Sequence, residues 1–148
     1  MEELQQMERD RWDEFRDLVD RLPADRLDEP TLNGDGWSVK DLLWHMRCWN
    51  DEIAIQLERI RMGSYVDDDY DTDEKNAGFF DEGRRTDLPT VRTEWLASRD
   101  RALQELATQH GVTPPVEEWG SEFAYKHIDD HLSELRRFAS EPSSDVGQ

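Results

Sequence analysis

One cysteine, Cys48, leaves the chain without a partner for an internal disulfide. Lysine is almost as scarce, standing only at positions 40, 75 and 126, so the cationic side chains are nearly all arginine. No apolar run approaches the roughly 20 residues a membrane-spanning helix needs. The opening Met1-Glu-Glu-Leu-Gln-Gln-Met-Glu-Arg9 has none of the apolar character of a signal peptide. A cytoplasmic protein with no membrane partner is expected. There is no glycine-rich phosphate loop, since Gly34-Asp-Gly36 is too short to form one. No serine or cysteine nucleophile signature appears. Apolar residues make up only 35% of the chain, so its six tryptophans must supply much of any core.

Negative charge is what the chain has in surplus. It carries 36 acidic and 18 basic residues, for a net charge of −18. That field repels phosphate backbones and anionic lipid surfaces, which argues against a nucleic-acid partner. High aspartate, low lysine and a large negative charge point to a halophilic cytoplasm. There the screening length falls to about 3 Å at 1 M salt. An ordinary acidic protein would carry the same repulsion largely unscreened.

The apolar periodicity predicts an all-α protein with four long helices in one domain, residues 1–140. The first runs from about Glu3 to Leu22 and stops at Pro23. The second starts at Ser38, a good N-cap, with Asp41 three residues on at the positive helix end. It continues to about Met62, with Gly63 as its C-cap. The third starts at Asp87, with a proline in its first turn, and ends before Gly111 and Pro114-Pro115. The fourth spans about Ser121 to Ala139. A short turn is expected between residues 109 and 120. The stretch 64–87 is long enough for a crossover connection. Within it, residues 64–75 read as a solvated acidic loop without EF-hand spacing. Asn76-Ala-Gly-Phe-Phe80 reads as a short helix laying two aromatics over the core. The tail 141–148 reads as disordered.

The chain has four histidines, and His127 and His131 lie one turn apart on one side of the last helix. His45 lies in the apolar stripe formed by Leu42, Met46, Trp49 and Ile53. A lone histidine in such a stripe is more often a satisfied core residue than a ligand. Three neutral imidazoles packed without a metal would leave ring nitrogens short of partners, each costing roughly 1–3 kcal/mol. Two readings therefore stand: packed core histidines, or a three-histidine site for a divalent ion with a position left open. Such ligands suit zinc or nickel first, with iron, manganese, cobalt or copper as alternatives. Glu52 follows His45 by seven residues and Glu134 follows His127 by seven, nearly two turns each. Both are candidates for a base, a fourth ligand or a hydrogen-bond orienter; the competing reading is a charged residue at the rim. Asp129 and Asp130 are expected to point into solvent. Cys48 is read as a small buried thiol and His110 as structural. Trp37, Trp44, Trp49 and Trp119 are candidates to wall a pocket.

Together, Gly36-Trp-Ser-Val-Lys-Asp-Leu-Leu-Trp-His45, Asn76-Ala-Gly-Phe-Phe80, Trp119 and Tyr125-Lys-His-Ile-Asp-Asp-His131 resemble the DinB-like superfamily of four-helix metal proteins. The chain is most similar to its ClbS/DfsB-type branch, and the resemblance covers about residues 5–138. It implies an up-up-down-down four-helix bundle with a crossover connection, and metal ligands at His45, His127 and His131. It also implies an enzyme acting on a small-molecule substrate, through hydrolysis or transfer of a low-molecular-weight thiol, and a homodimer. The alternative is a non-catalytic metal-stabilised bundle that binds a small molecule or serves in self-protection.

Overall fold

A computed structural model describes residues 1–68 and 70–141; most of the expected tail, from residue 142 on, lies outside the described residues. Among the described residues the chain is helical and has no strand. Its elements are α1 (Glu2–Arg21), α2 (Ala24–Leu27), α3 (Val39–Met62), α4 (Thr72–Arg84), α5 (Leu88–Ala107), α6 (Pro114–Ser121), a π-helical segment (Glu122–Lys126) and α7 (His127–Ser140).

The expected starts and stops are present in chemical detail. Ser38 and Asp41 form a reciprocal capping box: the Asp41 N–H donates to Ser38 Oγ at 3.1 Å, and the Ser38 N–H donates to Asp41 Oδ2 at 2.9 Å. Gly63 closes α3 with φ 78°, a backbone angle that side chains disfavour. Two expectations need correction. The stretch 109–120 is not only a turn, because Pro114 and Pro115 open α6. Proline suits a first helical turn, where its missing N–H would have no partner anyway. The acidic loop also yields earlier to helix than expected. Asp71 caps α4 by accepting from the Glu74 N–H, and Asp73 and Glu74 sit where the helix dipole favours carboxylates.

The long helix α3 packs against α4, α5 and α6, while α1 packs against α5, the π segment and α7. Two apolar clusters result. One gathers Trp12, Phe15, Met46, Trp95, Ile128 and Leu135. The other gathers Leu4, Ile53, Leu57, Ala102, Leu106 and Ala124. Along α1, α3 and α5, the buried residues between the two clusters are polar. Glu8 of α1 takes two hydrogen bonds from Arg99 of α5, each 2.7 Å. Asn50 of α3 donates to Ser98 of α5 at 3.3 Å. His127 occupies the matching level, between Ala124 of one cluster and Ile128 of the other. Glu8 and Asn50 are 2% and 5% exposed, so the layer is a buried one.

Helix α4 sits close enough to α3 to need a glycine. A Cβ at Gly83 would lie 2.9 Å from the Trp44 ring, which also meets the Arg47 guanidinium at 4.6 Å. Glycine to alanine in a helix interior ordinarily gains about 1 kcal/mol. Gly83→Ala is expected to do the reverse and cost about 1–3 kcal/mol through overpacking. Thermal unfolding reads this directly: an unchanged or raised midpoint would mean that α4 does not seat against Trp44.

Candidate metal centre

His45 comes from the second turn of α3, and His127 and His131 come from the first turns of α7. Ser38 sets where α3 begins, and a π-helical turn sets where α7 begins. The structure brings all three imidazoles together, with one nitrogen from each lying within 4.8 Å of the others. The ring centroids are 5.0–5.1 Å apart, and the planes are inclined at 60–81° rather than stacked. His45 Nε2 and His127 Nε2 are 3.0 Å apart. Two nitrogens at zinc–imidazole distance in a tetrahedral shell would be about 3.3 Å apart. One neutral imidazole can donate its N–H to the other at this distance, and the same donor set could instead hold a cation between the two nitrogens.

The protonation states agree with that fit. His45 is 7% exposed, and burial, with His131 nearby, holds its pKa down to about 3. Burial also pushes His127 well below the ordinary range, with His131 and His45 adding to the effect. Both rings are therefore neutral, the form that binds a metal. Glu134 Oε1 lies 2.8 Å from His131 Nδ1, which fixes that ring and leaves its Nε2 free. Among the described residues, His45 Nδ1 is buried with no hydrogen-bond partner.

The three histidines open onto a cavity of about 650 Å³, within the range of small-molecule sites. Trp37, Trp49 and Trp119 line it, as the sequence allowed. Trp44 does not, being packed under α4. Trp37 meets His45 edge-on at 5.1 Å and stacks on Phe80. Trp49 donates to Asn76 Oδ1 at 2.7 Å and Trp119 to the Tyr65 hydroxyl at 3.2 Å, so hydrogen bonds hold both indoles in place.

The two candidate carboxylates part company. Glu134 lines the histidine cavity, whereas Glu52 lines a smaller neighbouring one and accepts from Gln56 at 2.9 Å. Seven residues along a helix preserve the face but advance about 10 Å along the axis, which takes Glu52 past the site. Asp129 is exposed and pairs with Arg11 at 2.8 Å, and Asp130 is exposed. His110 is exposed beyond the end of α5 and joins no cluster. Cys48 is buried, and burial raises its thiol pKa to about 11, which suits a packing role.

Sequence periodicity missed Glu118 and Glu122, which also line the cavity. Glu122 precedes His127 by five residues, which at 3.6 residues per turn would put it well off the His127 face. The wider π turn, closed by the His127 N–H on the Glu122 carbonyl, brings both to one wall. Nothing in the residue pattern announces such a turn.

If His131 is a metal ligand, Glu134→Gln is expected to weaken divalent-metal binding about 10- to 100-fold, because its orienting partner is weakened. Glu52→Gln is expected to change it by less than about twofold, its carboxylate lying outside the ligand set. Competition with a chromophoric chelator measures both; equal effects would remove the distinction.

Residues 9–126 match the family model described as the mycothiol maleylpyruvate isomerase N-terminal domain, a family of the DinB-like superfamily. No curated protein and no solved structure matches the chain. The match is to the mycothiol family rather than to the ClbS/DfsB branch that the motifs resemble. It includes His45 and ends one residue before His127.

Proposed function

Since the chain belongs to the mycothiol maleylpyruvate isomerase N-terminal domain family, we propose that it is a divalent-metal-dependent enzyme. It would turn a low-molecular-weight thiol, or water, against a small electrophile. The convergence of three histidine nitrogens on the wall of one cavity carries this reading. His45, His127 and His131 would hold the ion, with zinc or nickel the first choices for an imidazole set. When bound, the ion would supply Lewis-acid chemistry and favour the deprotonated form of a thiol or water.

The chain's own residues would do the rest. Glu134 would keep His131 aligned and take the proton released by the thiol or water. Trp37, Trp49 and Trp119 would hold an apolar part of the substrate and exclude bulk water. Glu52, which lines a neighbouring cavity, would take no part in this chemistry. The four long helices would run up-up-down-down, as the superfamily resemblance implies.

The test is to assay thiol conjugation and hydrolysis of small electrophiles in concentrated salt, with zinc, nickel or manganese supplied. Metal-dependent turnover in the wild type should fall by at least about 100-fold in His45→Ala, as expected when a catalytic metal loses a ligand. Equal turnover in that variant would remove the metal from the mechanism. Stoichiometric metal with no turnover against any electrophile would favour a metal-stabilised binding bundle instead.

A further inference from the structure

Four carboxylates face the histidine cavity from four elements: Asp35 in the α2–α3 loop, Glu118 on α6, Glu122 on the π segment and Glu134 on α7. Among the described residues no lysine or arginine lines it. Glu134 is engaged with His131, while Asp35, Glu118 and Glu122 make no ion pair among the described residues. Two basic side chains near the walls face elsewhere. Lys75 lies over the Tyr70 ring at 4.9 Å and lines the neighbouring cavity. Arg84 lies over the Phe80 ring at 4.5 Å and donates to the Gly36 carbonyl.

Two of the neutral donors in the lining are already engaged. The indole N–H groups of Trp49 and Trp119 already have acceptors, so neither is free to bind an anion. The remaining neutral donors are the amides of Asn33 and Asn76, the hydroxyls of Tyr70 and Thr72 and the Trp37 indole, none of which carries charge, so the charged groups of the lining are all carboxylates beside aromatic faces. The pocket is not defined by its acids alone, because the buried His45 and the indoles of Trp37, Trp49 and Trp119 form part of its wall. A divalent ion would bring two positive charges against the four carboxylates, leaving the wall negative.

We propose that this cavity takes an organic cation, either an amine-bearing substrate or an amine-bearing thiol, and discriminates against a carboxylate-bearing one. The ammonium would pair with the carboxylates, and the attached carbon chain would lie against the indole faces. Exposed Asp35 and Glu118 would draw the cation to the mouth, and half-buried Glu122 would hold it inside. The proposal rests on reading the cavity as the substrate site of the proposed enzyme.

Two matched probe sets test it on the metal-loaded protein at fixed, high ionic strength, read by tryptophan fluorescence. One set is cysteamine, 2-mercaptoethanol and 3-mercaptopropionate, thiols of similar size carrying positive, no and negative charge. The other is phenethylammonium and 3-phenylpropionate, which have no thiol. In each set the cation should bind at least about tenfold more tightly than the anion. The isosteric double change Glu118→Gln, Glu122→Gln should reduce that ratio below about threefold. A wild-type ratio near one, or a preference for the carboxylates, would overturn the proposal without reference to the variant. If phenethylammonium outbinds 3-phenylpropionate while no thiol binds, the charge inference stands and the thiol chemistry fails. If the thiols bind in the anion's favour, the charge inference fails and the thiol chemistry stands.

Discussion

Replacing His127 with alanine is expected to reduce bound divalent metal from about one ion per chain to less than about a tenth, since two imidazoles make a poor site. His127 is the proposed ligand with most to lose. Its Nε2 lies 3.0 Å from that of His45, and its ring separates the main cavity from a small void behind it, bordered by Glu8, Asn50 and Arg99. Removing it breaks the ligand set and widens the void at the same time. Elemental analysis after gel filtration gives the result, with circular dichroism to show that the helices persist. His110→Ala is the control: its ring is exposed and outside the cluster, so metal content should not change. Stoichiometric metal retained in His127→Ala would remove that histidine from the site.

The second large effect is on pH. In the metal-free protein, burial keeps His45 neutral down to about pH 3, and His127 is depressed in the same direction. An unfolded chain protonates its histidines near 6.5. Below that value the unfolded state binds more protons than the folded state, so stability falls as pH falls. The contribution is complete above pH 6.5 and is lost progressively toward the folded values. The slope approaches about 1.4 kcal/mol per pH unit for each histidine. Between pH 6.5 and 5 most carboxylates stay ionised, so the histidines dominate this window. Denaturant unfolding of metal-free protein across it should show falling stability in the wild type and a shallower slope in His45→Ala. A flat wild-type profile would mean that the rings are not held neutral. Metal should add to the same trend, since protons compete with it for the imidazoles, and it should be released as pH drops through the same range.

The long helices and the shared face of His127 and His131 were legible from local rules, and the family resemblance added His45 as a candidate ligand. Ser38 with Asp41 and Gly63 mark the ends of α3 through capping chemistry that depends on neighbours in sequence. His127 and His131 share a face because four residues nearly complete one turn. The rest depended on geometry beyond that range. The same periodicity that paired His45 with Glu52 carries Glu52 into another cavity, because a shared face says nothing of distance along the axis. Glu122 was invisible because its place depends on a π turn. The layer of Glu8, Arg99, Asn50 and Ser98 needed three helices in register before their polar side chains could be seen to meet. Pro114 and Pro115 were read as a stop, although proline marks the start of a helix as readily as it follows an end.

X-ray absorption at the edge of the metal that copurifies with the wild-type protein tests the proposed centre most directly. The expected spectrum is that of about one divalent ion per chain with three imidazole nitrogens near 2.0–2.1 Å, the zinc–imidazole distance, and room for a further light or sulfur ligand. A chain that binds no stoichiometric metal at neutral pH and high salt, or an ion whose shell contains no imidazole, would contradict it.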